Sequence, residues 1–202
     1  MPSAVQPAFA ALWNLDLAMA DVVATSSDPA LGAIRLAWWR ERLEELDGGV
    51  IPAEPRLLGV SEHLLKRGIT GVELSELENA WVALLDALPW GDRQADALKR
   101  RGRILFGIGA RLLGGDPAEA EAAGAIWSLA DAANHCSDAE SRDFLTTQAG
   151  GTEQPRKAPT ELRPLTVLAA LAVHDTQKKT GGIRRAAAAV AHRLRGTFPR
   201  QS

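Results

Sequence analysis

Four aspartates have the side chains that metal-assisted chemistry needs: Asp16 and Asp21 near the N-terminus, and Asp131 and Asp138 in the second half. Carboxylates are the hard oxygen ligands a magnesium ion demands. Two of them four residues apart on a helix point to one side and hold one ion. None of the four makes such a pair. Asp16 and Asp21 are five apart, about 140° around a helix. The positions four beyond them hold Ala20 and Thr25. Asp131 shares a face with His135, but imidazole is a poor magnesium ligand, and Asp138 joins that face only if the helix runs on through it. Other chemistries find less. There is no GxSxG, GK[ST], HExxH or CxxC pattern. Gly107-Ile108-Gly109 lacks the preceding strand and third glycine of a dinucleotide loop and reads as small residues for helix packing. His63, His135, His174 and His192 are scattered and read as surface or capped residues rather than metal ligands.

The elements that must carry these residues are helical throughout. Alanine dominates the apolar 46%, tyrosine is absent, and β-branched and aromatic residues are sparse. The expected helices run over about 4–24, 30–47, a third ending at Gly68, 71–88 behind a Thr70–Glu73 capping box, 92–113, 118–135, 139–148, 160–178 and 183–195. Ser27-Asp28-Pro29 and Asp116-Pro117 are helix starts, and Gly48-Gly49 and Gly114-Gly115 are stops. A surface loop covers about 150–159. On the second helix Leu31, Ile34, Trp38 and Leu46 form one stripe, with Glu41, Arg42 and Glu45 away from it. The tryptophans read as core and seam residues. The expected fold is all-α: one domain over 1–202, an antiparallel helical bundle.

One cysteine, Cys136, excludes an internal disulfide and a cysteine zinc cluster. No uninterrupted apolar run approaches the roughly 20 residues of a membrane span, and the N-terminus lacks the basic start of a secretory signal. The chain is expected in the cytoplasm, where it can lie peripheral to the inner face of a membrane. The net charge of −2 is uneven, with ten Lys/Arg against Glu161 and Asp175 from residue 156 onward. This excess reads as a solvated basic face, the alternative being an anionic partner. No nucleic-acid motif accompanies it. In the last helix Ile183, Ala187, Val190 and Leu194 make a stripe among Arg184, Arg185, His192, Arg193 and Arg195. Because the apolar side of this helix is mostly alanine, which inserts weakly, packing onto the bundle is expected over membrane docking.

Two blocks carry a family likeness. Leu12-Trp13-Asn14-Leu15-Asp16-Leu17-Ala18 leads into Ser27-Asp28-Pro29-Ala30-Leu31-Gly32-Ala33-Ile34-Arg35-Leu36-Ala37-Trp38-Trp39-Arg40. This resembles the N-terminal helix pair of the squalene/phytoene synthase family, whose second block reads P-x-L-G-x-I-R-L-x-W-W-R. The similarity is closest to the branch that contains mitochondrial complex I assembly factors. Ala123 to Leu129 resembles the later helix that carries the second aspartate motif. Arg163-Pro164-Leu165 through Asp175 resembles the C-terminal helix. The likeness is strong over about 12–47 and looser beyond.

The resemblance implies an isoprenoid-synthase-type bundle. In active members two DxxxD motifs hold magnesium while two prenyl diphosphates condense head to head. Here the first pair falls on or beside Ala18 and Met19. The second aligns Leu129-Ala130-Asp131 with the motif's opening and Asn134-His135 with its end. Family arginines in the second block approach the diphosphate, which makes Arg35 and Arg40, on different helix faces, the substrate-binding candidates. The squalene-forming branch also uses a tyrosine this chain lacks. The expectation is therefore a degenerate, non-catalytic protein without a cofactor, acting as an assembly or lipid/isoprenoid-binding factor. By family analogy its partner would be a respiratory-complex subunit or a membrane surface, and its ligand a prenyl diphosphate or other apolar molecule. The alternative is an active magnesium-dependent prenyl transferase using Asp131, Asp138, Asp16 or Asp21.

Overall fold

A computed structural model describes residues 2–155, 157–176 and 182–198, and among them there are helices and turns but no strand. The all-α expectation is met. The chain divides into two compact units, Met1–Ala87 and Leu88–Ser202.

The first unit contains α1 (Gln6–Thr25), α2 (Pro29–Leu46), α3 (Pro55–His63), α4 (Gly71–Ser75) and α5 (Leu77–Ala83). Its helix starts follow local chemistry. Asp28 accepts the Ala30 N–H at 2.8 Å with Pro29 at the first helical position. Thr70 Oγ1 accepts the Glu73 N–H at 3.1 Å. The helix expected over 71–88 is instead two short ones, broken at Glu76 and ended by Ala83. Asp47, just past α2, accepts the N–H groups of Gly71 and Val72 at 2.7 and 3.0 Å. A Cβ on Gly71 would run into the carbonyl of Leu43, so only glycine lets α4 approach α2 this closely. The core is built from Leu12, Leu15, Met19, Leu36, Leu43, Leu57 and Leu74, all fully buried.

The expected direction of the α2 stripe is corrected. Its core face is Gly32, Leu36, Trp39, Leu43 and Leu46, whereas Leu31, Ile34 and Trp38 are exposed. Apolar residues surround most of this helix, so period alone does not select a face. The 32/36/39/43/46 face is the one the rest of the unit covers, with Leu85 over Gly32 and Gly71 of α4 against the Leu43 carbonyl. The tryptophans divide accordingly: Trp39 and Trp81 are buried, Trp13, Trp90 and Trp127 half-buried, and Trp38 exposed. Although polar residues such as Asn14, Asp16 and Asp21 interrupt it, and contrary to the expectation of no span-length apolar segment, the stretch Ser3–Thr25 is long and apolar enough to cross a membrane by length and composition. Half of it is buried within the protein, as it is for a core helix.

The second unit contains α6 (Asp92–Leu112), α7 (Ala118–His135), α8 (Ala139–Gly151), α9 (Arg163–Thr176) and α10 (Gly182–Arg195). The end at Lys178 of the helix expected over 160–178 lies outside the described residues. Gly114, at φ 76°, reverses the chain between α6 and α7, and Asp116 accepts the Ala118 N–H at 2.9 Å. The two helices cross at Gly102 and Gly124, where a Cβ on either would strike the other's carbonyl. That contact lies one helical turn or more before Gly107-Ile108-Gly109, the pair to which the sequence assigned close packing. A Cβ on Gly107 would meet Pro117 at an ordinary 3.7 Å. Leu98, Leu105, Phe106, Ile126, Leu129 and Leu145 fill the core.

The apolar stripe of α10 does not pack inward, contrary to expectation. Val190 and Leu194 are 57% and 70% exposed, Ala187 is exposed, and Ile183 and Arg184 lie outside the described side chains. The inward residue is His192, fully buried. Its Nδ1–H donates to the Thr197 carbonyl at 3.0 Å, and Nε2 lies 2.9 Å from Thr166 Oγ1. Burial holds its pKa below 6.5, against the opposing effect of the Thr197 bond, and the nearby Arg163 lowers it further. Arg163 donates to the C-terminal carbonyls of α10 at Leu194 (2.8 Å) and Arg193 (3.4 Å), satisfying acceptors that a helix end leaves open.

Candidate functional site

Asp131 is the sequence candidate with the most built surroundings. Gly124, Ser128, Asp131 and His135 recur at i, i+4, i+7 and i+11, so they form one stripe of α7. The Gly102–Gly124 crossing brings α6 against that stripe. Arg101, next to Gly102, is 3% exposed and has to run along it. Its guanidinium donates to Ser128 Oγ at 3.1 Å and to Asp131 Oδ2 at 3.3 Å. The same group lies 4.9 Å from the Trp127 ring, which stacks on Phe106. On the other side, His135 Nδ1–H donates to the Asp131 carbonyl at 2.8 Å and sits 3.7 Å from its carboxylate.

This arrangement neutralises a carboxylate and anchors a buried arginine. Magnesium fits it poorly, because an approaching cation meets the Arg101 charge, and the second ligand on the face would be imidazole. Asp138 does not join Asp131. The helix stops at His135 and the chain turns extended at Cys136, so Asp138 becomes the cap of α8. It accepts the Ser141 O–H at 2.7 Å and the Ser141 N–H at 2.8 Å, and these bonds hold its pKa below the ordinary 3.8.

In the first unit Asp16 is buried and accepts the Trp81 indole N–H at 2.9 Å. Asp21 is exposed, and its backbone carbonyl accepts the Thr25 hydroxyl. Arg35 is exposed and donates to Thr25 Oγ1 at 3.4 Å. Arg40 is half-buried and attracts Glu78, so the two arginines occupy different faces as their spacing requires. Glu78 is 5% exposed, and burial raises its pKa above 4.5. Arg40 opposes that rise, while Glu44 and Glu76 add to it. Among the described residues no group of three or more His, Cys, Asp or Glu side chains is placed to hold a metal ion.

Sequence reasoning did not single out the open cleft between α6 and the end of α8. It measures about 390 Å³ and is lined by Lys99, Arg103, Thr147, Gln148, Gly151 and Thr152. The i, i+4 spacing of Lys99 and Arg103 was the available signal. Lys99 Nζ is already shared between Asp96 (3.2 Å) and Gln148 (3.3 Å). None of the candidate aspartates lines the cleft, and its lining carries two cations but no large aliphatic or aromatic side chain for an isoprenoid chain to pack against. No family model, no curated protein and no solved structure matches this chain.

Proposed function

We propose that the chain is a non-catalytic protein of the squalene/phytoene synthase type, acting as an assembly or lipid/isoprenoid-binding factor peripheral to a membrane. The observation that carries this reading is the fate of the aspartates nearest the family's motif positions. Asp131 compensates Arg101 and Asp16 accepts from Trp81. Carboxylates held this way are poorly disposed to bind a metal that must neutralise departing diphosphate. Binding rather than turnover also agrees with the exposed stripe Leu31, Ile34 and Trp38, which lies inside the block carrying the resemblance. Apolar side chains gathered on one exposed helix face mark contact surfaces.

The test is to incubate the pure protein with farnesyl or geranylgeranyl diphosphate and magnesium and to follow diphosphate release. The expected result is no release above the protein-free rate. Release abolished by Asp131→Ala would establish the prenyl-transferase alternative. With no turnover, tight binding of a prenyl lipid selects the lipid-binding branch. Loss of a purified client complex on Ile34→Asp selects assembly.

A further inference from the structure

We propose that α10 is a docking surface for an anionic lipid bilayer, with Val190 and Leu194 entering the interface and arginines flanking them on the headgroups. The inference is argued from α10 and the residues that orient it; it names the surface that the membrane-peripheral part of the reading above would use and does not rest on the synthase-type family.

The orientation of α10 is imposed from its polar side. His192 is fully buried between Thr166 and the Thr197 carbonyl, with Phe198 edge-on to its ring at 4.8 Å. Arg163 pins the last turn through the Arg193 and Leu194 carbonyls, and Arg185 is tied back to Asp175 at 3.0 Å. At about 100° per residue, Ala187, Val190 and Leu194 then lie opposite His192. They face outward because the polar residue faces in.

Arg193 and Arg195 are exposed, and on the helical wheel they fall on either flank of that stripe. An outward apolar strip bordered by cations is what lets a helix lie in the plane of an anionic interface. A second copy of this chain would bring the same arginines together, which charge complementarity disfavours. The described part of α10 carries no acidic residue, and the chain from residue 156 onward holds ten Lys/Arg against two acids. The small alanine surface makes the contact dependent on charge and reversible.

The experiment is co-sedimentation of the full chain with vesicles of phosphatidylcholine alone or with roughly one-third phosphatidylglycerol. Binding is expected only with the anionic lipid and is expected to fall as salt is raised. Arg193→Gln and Arg195→Gln should each weaken it about fivefold. The double variant Val190→Asp/Leu194→Asp should abolish it while leaving the circular-dichroism spectrum and urea midpoint unchanged. Equal binding to both vesicle types, or binding indifferent to all four substitutions, overturns the proposal. So does a dimer that dissociates in the Val190→Asp/Leu194→Asp variant without any vesicle binding, since the stripe would then be a self-interface.

Discussion

Asp131 and Arg101 are 30 positions apart in the chain, and each answers a cost the other creates. A guanidinium that is 3% exposed needs a counter-charge and acceptors, and Asp131 with Ser128 supplies them. Removing the carboxylate leaves a buried cation short of a partner. Asp131→Ala is therefore expected to lower stability by roughly 2 kcal/mol, below the cost of breaking a fully buried pair because Asp131 is partly exposed. Replacing Arg101 with Met in the same background should recover most of that loss. Urea melts of the single and double variants check the cycle, and an Asp131→Ala protein as stable as the parent would contradict this role. Glu78 gives the opposite sign. Its pKa is raised, so the folded chain binds the proton more readily than the unfolded one between about pH 4.5 and the raised value. Its contribution is full below about pH 4.5 and is lost as pH climbs through the raised value. Glu78→Gln should thus stabilise the protein by about 1 kcal/mol near neutral pH, and the two melts should converge near pH 4. A gain that persisted in acid would point to packing instead of ionisation. Neither relationship was legible from spacing, because Arg101 and Arg40 meet their partners only through the packing of separate helices.

At the scale of elements, most helix ends were legible and two helix faces were not. Asp28-Pro29, Asp116-Pro117 and Gly114 act on their own neighbours, so local sequence suffices to place α2 and α7 to within a residue or two. The face of α2 is different. Leu31, Ile34, Leu36, Trp38, Trp39, Leu43 and Leu46 surround the helix, and the buried set is the one met by tertiary partners, Leu85 over Gly32 and Gly71 against Leu43, which spacing does not reveal. In α10 the cue was inverted, since a histidine with three polar neighbours went inside and the aliphatic residues stayed out. The α6–α7 crossing offers a sharp test. Gly102 and Gly124 each leave no room for a methyl group against backbone that cannot rotate away. Gly124→Ala should force the helices apart, displace Arg101 from Ser128 and cost about 3 kcal/mol or more. Gly107→Ala, one turn and a half further along α6, has space for its methyl and should be neutral or slightly stabilising through helix propensity. Thermal melts of the two variants side by side decide it, and equal effects would remove the crossing as the cause.

At the scale of the whole molecule, the division into Met1–Ala87 and Leu88–Ser202 makes its own prediction. The second unit has the longer helices, a core through Leu98, Leu105, Phe106, Ile126 and Leu129, and an internal polar network in Arg101–Asp131 and Thr166–His192. The first relies on the short α3, α4 and α5 to complete the core of α1 and α2. Small helical units bury a lower fraction of their surface and are correspondingly marginal, and short helices owe their stability to tertiary contacts more than to propensity. A fragment of residues 88–202 is therefore expected to be helical and to unfold cooperatively in urea. A fragment of residues 1–87 should unfold at lower urea with a shallower slope, in keeping with the smaller surface it exposes. The fragments should also part in charge, because the basic excess from residue 156 onward lies wholly in the second. Fragment 88–202 should accordingly keep the anionic-vesicle binding assigned to α10, and fragment 1–87 should lack it. If 88–202 melts without cooperativity while the full chain melts in one sharp step, the two units are one folding unit and the separation is only geometric.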